Sequence, residues 1–417
     1  MTATDGLGVA GVWVRFAATA GGGLVTPDSA LTDASGDARA TWRLGGAAGA
    51  QTTRATVAVA PSLTTDFTAT AIAGDPAAIA IAAGDGQTAV AGVAVAVSPA
   101  VTVTDAHGNL VPAASVTFEI VQGGGILTGA AATTNASGIA TVGSWSLGAI
   151  VGPNSLRAFV IGTAPQTVSV THQGSLPTDT TRLRDEATPL NAPQAAEMDT
   201  LAVTFTATAI PGAATTLTIL AGNAQTDTAA AVLGDSLVVR ATDALGNTVP
   251  GAVVTWAVAL GGGSTSAAST AADANGRAAI QWTQGTLAGT AHAVTAALAA
   301  VDTVTFTATV TPATPTQLAF TTDPVTANAG EALNATVAIH DQYGNVATGA
   351  TDGVTMAIVG GTGTSGALLS GTMSQAAVAG VATFTGLSID SAGTNYALQA
   401  TATGLAAATS ATFNITI

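Results

Sequence analysis

The sequence predicts an all-β chain of tandem immunoglobulin-like β-sandwich domains, about four of them, in an extended rod. Three observations carry this. The 417 residues are about four times the roughly 100 residues of one such sandwich. The apolar fraction is 48%, mostly Ala and Val, and with abundant Thr this composition favours pleated strands over helices. Glycine, at 49 residues, recurs at turn-like spacings inside an internal repeat.

The repeat can be followed element by element. An Asp-x-x-Gly-Asn turn comes first, as Asp105 to Asn109, Asp243 to Asn247 and Asp341 to Asn345, with a shortened copy lacking the Asn at Asp5 to Gly8. The next strand ends on a triple glycine at 21–23, 123–125 and 261–263, and on the looser Gly360-Gly361-Thr362-Gly363 in the last copy. A second turn (Asp33 to Gly36, Asn135 to Gly138, Asp273 to Gly276) leads into a strand carrying Trp42, Trp145 or Trp282. Trp145 stands one residue further from its glycine than the other two, which predicts a β-bulge there. Each copy closes on a Thr-rich strand around Phe67, Phe205, Phe306 or Phe413, where Thr alternates with apolar residues as a half-buried strand requires.

Spacing sets the expected boundaries at 1–73, 74–210, 211–312 and 313–417. The turn-to-turn interval is 100 residues from Asp5 to Asp105 and 98 from Asp243 to Asp341, but 138 from Asp105 to Asp243. The excess lies between Trp145 and Phe205, so an insertion at about 172–199 sits just before the last strand of the second copy. A Pro-rich segment of that length reads as a loop, hairpin or lid with a role of its own, or as a disordered excursion. The first copy has four residues before its Asp turn where the third has about thirty, enough for two strands. The first domain is thus expected to lack its opening strands and to leave an open edge.

Composition excludes several functions. The nine basic residues are all Arg and face 24 acidic ones, for a net charge of −15, which opposes nucleic acid and anionic membrane surfaces. Without cysteine there is neither a disulfide framework nor a thiolate metal site. No apolar run is long enough to insert in a membrane as a helix, and Met1-Thr-Ala-Thr-Asp5 lacks the features of an export signal, which is expected outside this chain.

The second and third copies resemble bacterial Ig-like group 1 domains, the type that builds invasin- and intimin-like stalks. The matching residues are Asp243-Ala-Leu-Gly-Asn247, Val249-Pro250-Gly251, Trp256, Gly261 to Gly263, Asp273-Ala-Asn-Gly276 and Trp282. The first copy matches from its Asp turn onward. The last is divergent, and its Gly380 to Phe384 and Asp390 to Gly393 resemble another bacterial Ig-like repeat. The resemblance implies a cell-surface location and a spacer, stalk or fibre role, with no receptor-binding lectin-like domain carried over.

Individual residues read as follows. Asp105, Asn109, Asp243, Asn247, Asp341 and Asn345 are turn residues, Asp bonding nearby amides and Gly supplying positive φ. No cofactor is expected: calcium at these turns lacks the further acidic ligands such a site requires, and inter-domain calcium at Asp75, Asp85 or Asp235 is an open alternative that nothing in the sequence supports. Trp42, Trp145, Trp256, Trp282, Phe205, Phe306 and Phe413 are core anchors, because they recur at fixed positions. Trp13, aligned with Ser115 and Val253, breaks that pattern and is weighed as a contact residue against a core role. The insertion gathers Arg182, Arg184, Asp185 and Glu186 in a charge-poor chain and is the other candidate contact. His107, His172, His292 and His340 show no zinc spacing, Glu119 has no acidic partner, and no Ser, His and acid set clusters, so no enzyme is expected. The expected function is an extracellular structural or adhesive one, a stalk or fibre subunit of a bacterial surface. The alternative is a polysaccharide-binding accessory module or spacer of a larger secreted protein. Partners would be other surface or matrix components, and self-association by strand complementation at the open edge of the first domain.

Overall fold

The structure, a computed structural model, describes residues 1, 8–162 and 199–417. Every element in it is a β-strand. The chain divides into two compact units, Met1–Pro211 and Gly212–Ile417. Asp5 to Leu7 of the first Asp turn, and Arg182, Arg184, Asp185 and Glu186 of the insertion, lie outside the described residues.

The second unit opens with the fullest copy of the repeat. One antiparallel sheet runs Thr216–Ala221, Leu237–Thr242, Arg277–Ile280; the facing sheet runs Gln225–Thr228, Asp302–Thr311, Ala291–Leu298, Val253–Leu260, Ser269–Ala271. Only the pairing of Gln225–Thr228 with Asp302–Thr311 is parallel in it. The two-residue period dictates the inward set: Leu237, Val239 and Ala241 are buried from one side and Phe306, Ala308 and Val310 from the other, while Thr305, Thr307 and Thr309 face out. Between the sheets Trp256 meets Phe306 with ring centroids 6.0 Å apart, and its indole N–H donates to Thr270 Oγ1 at 2.8 Å.

The same arrangement recurs in the first unit. Ala78–Ala83, Ala100–Thr104 and Ile139–Thr141 cover a sheet of Gln87–Val90, Asp199–Ile210, Gly152–Gly162, Ser115–Gln122 and Ala131–Thr133. Trp145 and Phe205 are fully buried between them. Gly152–Gly162 and Asp199–Ile210 pair from Gly152↔Ala209 to Gly162↔Asp199, so 163–198 connects two adjacent strands. The extra residue before Trp145 is not in a bulge. It lies at the crossing Val142-Gly143 between Ile139–Thr141 and Ser144–Ser146, which belong to different sheets; the third copy crosses with Gln281 alone. Bulges fall elsewhere: the ladder slips at Ala18/Ala20, Ile120/Gln122 and Val258/Leu260, each directly before a triple glycine.

Residues 315–416 form a divergent third core. Tyr396, fully buried, lies 6.1 Å from the Phe413 ring and donates its hydroxyl to Ser391 O at 2.8 Å.

The first copy has a single four-stranded layer, Ser29–Leu31, Trp13–Ala20, Gly49–Val57, Ala60–Ala71, beside the small pair Leu24–Thr26 and Thr41–Arg43. No sheet faces it among the described residues. Trp42 is accordingly only half-buried and Phe67 is 50% exposed, whereas their counterparts Trp145, Trp282, Phe205 and Phe306 are fully buried. The core expectation for Trp42 is corrected to that extent. An anchor is buried by the layer above it, and no such layer is present among the described residues.

Candidate functional site: the Asp–Asn clips

The Asp-x-x-Gly-Asn motif does more than turn the chain. Asp105 Oδ1 accepts from the amides of His107 at 2.8 Å and Asn109 at 2.9 Å, which closes the turn. Gly108 sits there at φ 82°, a conformation that glycine adopts without penalty. Oδ2 faces the other way. It accepts from the amide of Gly74, in the connection from the preceding copy, and from Asn109 Nδ2, both at 2.8 Å. Asp243 and Asp341 repeat this at Gly212 and Ala313, each at 2.9 Å. Each carboxylate thus fastens the peptide that enters its copy, through charge-assisted bonds.

The Asn completes the clip. The second amide hydrogen of Asn109 goes to Gly46 O at 2.7 Å, and its Oδ1 accepts from Ala48 N at 2.8 Å. Both partners are in a loop of the first copy, more than sixty residues away. Asn345 does the same with Thr286 O at 2.8 Å and Ala288 N at 2.9 Å. A carboxamide has one acceptor and two donors, and here all are used. Aspartate in that position would lack the donor for the carbonyl. In the third copy Asn247 Nδ2 bonds Asp243 Oδ2 at 3.1 Å.

The loop that the Asn grasps is itself held from inside. Gln51, buried, donates to Gly45 O at 3.1 Å and Ala47 O at 2.7 Å and accepts from Gly45 N at 2.8 Å. Asn154 accepts from Gly148 N at 3.0 Å, and His292 Nε2 pairs with Leu287 O at 3.0 Å. These three side chains lie under the first glycine of each triple, where a Cβ on Gly21, Gly123 or Gly261 would come within 2.3 Å of them. The triple glycines therefore leave space for the residue that braces the loop ahead of its own strand. Sequence reasoning missed Gln51, Asn154 and His292. The available signal was a polar residue nine or ten positions after each tryptophan.

Electrostatics favour the ionised clip. Burial pushes the Asp105 carboxyl up, but hydrogen bonds from the Asn109 side chain and from the amides of Gly74, Asn109 and His107 outweigh it, holding the group well below the usual carboxylate range. Asp243 and Asp341 are lowered against burial in the same way. The second turn lacks the outward half: Asp273 Oδ1 takes only the local amides of Asn275 at 2.8 Å and Arg277 at 2.9 Å.

The other candidates are placed as follows. Trp13 is half exposed on the outward face of its strand, beside Arg15, while Val14 and Phe16 turn inward. Glu119 pairs across the ladder with Arg157 at 3.1 Å. Asp85 clamps a strand, accepting from Thr206 N at 2.7 Å. Among the described residues no group of three or more His, Asp or Glu is placed to hold a metal ion, and no helix is long and apolar enough to cross a membrane.

No protein-family model matches the chain, and no curated protein matches it. Solved structures do. The chain is similar to the Escherichia coli adhesin FdeC at 19% identity and a TM-score of 0.37, over 83% of this chain and 99% of that one. It is similar to invasin, a bacterial integrin-binding protein, at 14% identity and 0.36, over 100% and 74%. It is also similar to cadherin domains 1–4 of protocadherin gamma B7, at 9% identity and 0.42, over 97% and 92%. At such identities a likeness concerns fold and says nothing of activity or partners.

Proposed function

We propose that the chain is a non-enzymatic structural module of a bacterial surface, a spacer or stalk segment that holds consecutive Ig-like sandwiches in fixed relation. The observation that carries this is the cross-repeat grip of Asn109 on Gly46 and Ala48, repeated by Asn345 on Thr286 and Ala288. A chain that only needed to turn at Asp105 would not spend both faces of a carboxamide on its neighbour. The resemblance of the repeat to invasin- and intimin-type domains points the same way, as does the acidic, lysine-free composition, which suits a soluble, weakly interacting spacer.

The test is a double variant, Asn109→Ala with Asn345→Ala. Each site loses the two neutral cross-repeat hydrogen bonds, about 1 kcal/mol apiece, together with the charge-assisted bond from the carboxamide to Asp105 or Asp341. We expect small-angle scattering to show a broader distribution of interdomain distances, and amide exchange to rise in the loops 45–48 and 286–288, while the cores melt as before. Unchanged scattering and exchange would reject the clip as the orienting device. The fibre variant of this reading is separable: gel filtration and electron microscopy giving a monodisperse monomer would discard it.

A further inference from the structure

We propose that Arg240 and Arg277 form a binding site for a carboxylate carried by an acidic sugar of an extracellular glycan. This goes beyond the spacer reading, which asks nothing of this face. Both residues belong to the second unit, all of which is described. They are directly opposed across the antiparallel ladder of Leu237–Thr242 and Arg277–Ile280, which puts their Cα atoms about 5 Å apart. Val239, Ala241, Ala278 and Ile280 beside them turn inward, so both arginines stand on the outer face of the sheet. Like charges so placed destabilise a ladder. The equivalent pairs are uncharged in the other two-layered copies: Thr102↔Ile139 in the second and Ala338↔Val381 in the last. Nor does the pair reflect an abundance of basic residues. It holds the only Arg or Lys of the second unit, against ten Asp and Glu.

Neither guanidinium forms an ion pair among the described residues. Asp273 feels both charges: the amide of Arg277 does most to hold its carboxyl below the ordinary range, and the Arg277 and Arg240 guanidiniums add to this. Its Oδ1, however, is committed to the turn amides of Asn275 and Arg277. Arg240 is half-buried, and its Nε is cut off from solvent without a hydrogen-bond partner among the described residues. A guanidinium already deprived of part of its water gains more from an incoming anion than a fully hydrated one. The surroundings select the anion. A net charge of −15 opposes polyanions, whereas a lone carboxylate matches the guanidinium fork. On the face of a sheet the main chain is already paired within the ladders, so a strand-like peptide gains nothing there. The face offers hydroxyls instead: exposed Thr218 opposes Arg240 on its other side, and exposed Thr216 opposes Thr242. Two cations beside hydroxyls suit a ligand with one carboxylate among hydroxyl groups, which is the chemistry of a uronic acid ending an otherwise neutral glycan.

The probe is sodium glucuronate titrated into the full chain, followed by NMR through the arginine Nε–H signals, with glucose and acetate as parallel arms. We expect saturable shifts at Arg240 and Arg277, no binding of glucose, and acetate at least fivefold weaker than glucuronate. Arg240→Gln and, separately, Arg277→Gln should each weaken binding at least tenfold. Arg240→Thr with Arg277→Ile, which installs the pair of the second copy, should abolish it while the sandwich still melts cooperatively. Asp273→Asn should tighten binding at least twofold. It removes the one carboxylate that feels both arginines and keeps the turn, since Asn135 makes the same two bonds in the second copy. Absence of saturable binding to the wild-type chain overturns the proposal, as does binding indifferent to both arginine substitutions. Glucose or acetate binding as tightly as glucuronate would reject the acidic sugar as occupant. Arginine-dependent dimers in sedimentation would reject it too, by making the occupant a carboxylate of a second copy. None of these outcomes alters what the Asn109 and Asn345 variants report.

Discussion

Asn109 and Asn345 act through both faces of a carboxamide, so small changes in the chemistry of that group have large and distinct effects. The buried aspartates beside them set a pH limit. Asp105, Asp243 and Asp341 are held below their unfolded value, near 3.9 for a free aspartate. Their contribution is then fully present above about pH 4 and is lost as pH falls through the folded value. We expect amide protection at Gly74 and in the loop 45–48 to be constant from pH 5 to 8 and to decline only on strong acidification. Asp105→Asn should remove that acid dependence at the first clip and lower its neutral-pH protection. Ala113 offers the opposite kind of change. It stands at φ 60° with its amide donating to Thr134 O, where the third copy has Gly251 at φ 75° donating to Ala272 O. An L-residue in that region costs about 1 kcal/mol. Ala113→Gly should accordingly raise the melting stability of its sandwich by about 0.5 kcal/mol after the unfolded-chain entropy is deducted, measurable by denaturant titration.

At the level of elements, the ladder slip ahead of each triple glycine and the three consecutive positive-φ residues that follow bend the strand away from its sheet. They also open the space occupied by Gln51, Asn154 or His292. The triplets were legible in the sequence as tight strand exits; their second role was not, because it depends on a side chain some thirty residues away. The closing strand shows how far an element depends on its neighbours. Phe67, Phe205 and Phe306 occupy one position in nearly identical Thr-rich strands, yet only the latter two are covered. Phe205→Ala should cost about 3–5 kcal/mol, the range for emptying a packed core. Phe67→Ala should cost well under half of that, since much of its ring is already in water. Parallel chemical denaturation of the two variants decides this, and equal losses would show that the first copy has a covered core after all.

Across the whole molecule, the described residues hold three separate hydrophobic cores and one uncovered layer, distributed over two compact units. Cores without shared side chains can unfold as separate cooperative elements. Calorimetry should therefore resolve more than one transition, and the Asn109→Ala, Asn345→Ala pair should shift the transitions relative to one another rather than lower all of them. A single two-state transition would contradict it.

The sequence by itself determined the all-β class, the repeat, and the burial of Trp145, Trp256, Trp282, Phe205, Phe306 and Phe413. Each of these follows from local periodicity and from recurrence at a fixed offset. Only the tertiary structure decided that the Asp-x-x-Gly-Asn turns are also clips, because their partners at Gly46, Ala48, Thr286 and Ala288 lie about sixty residues away and are met through main-chain atoms that carry no sequence signal. It also decided that Trp42 and Phe67 are not enclosed. Fold class is written in which residues alternate; burial is settled by whether a second layer arrives to cover them.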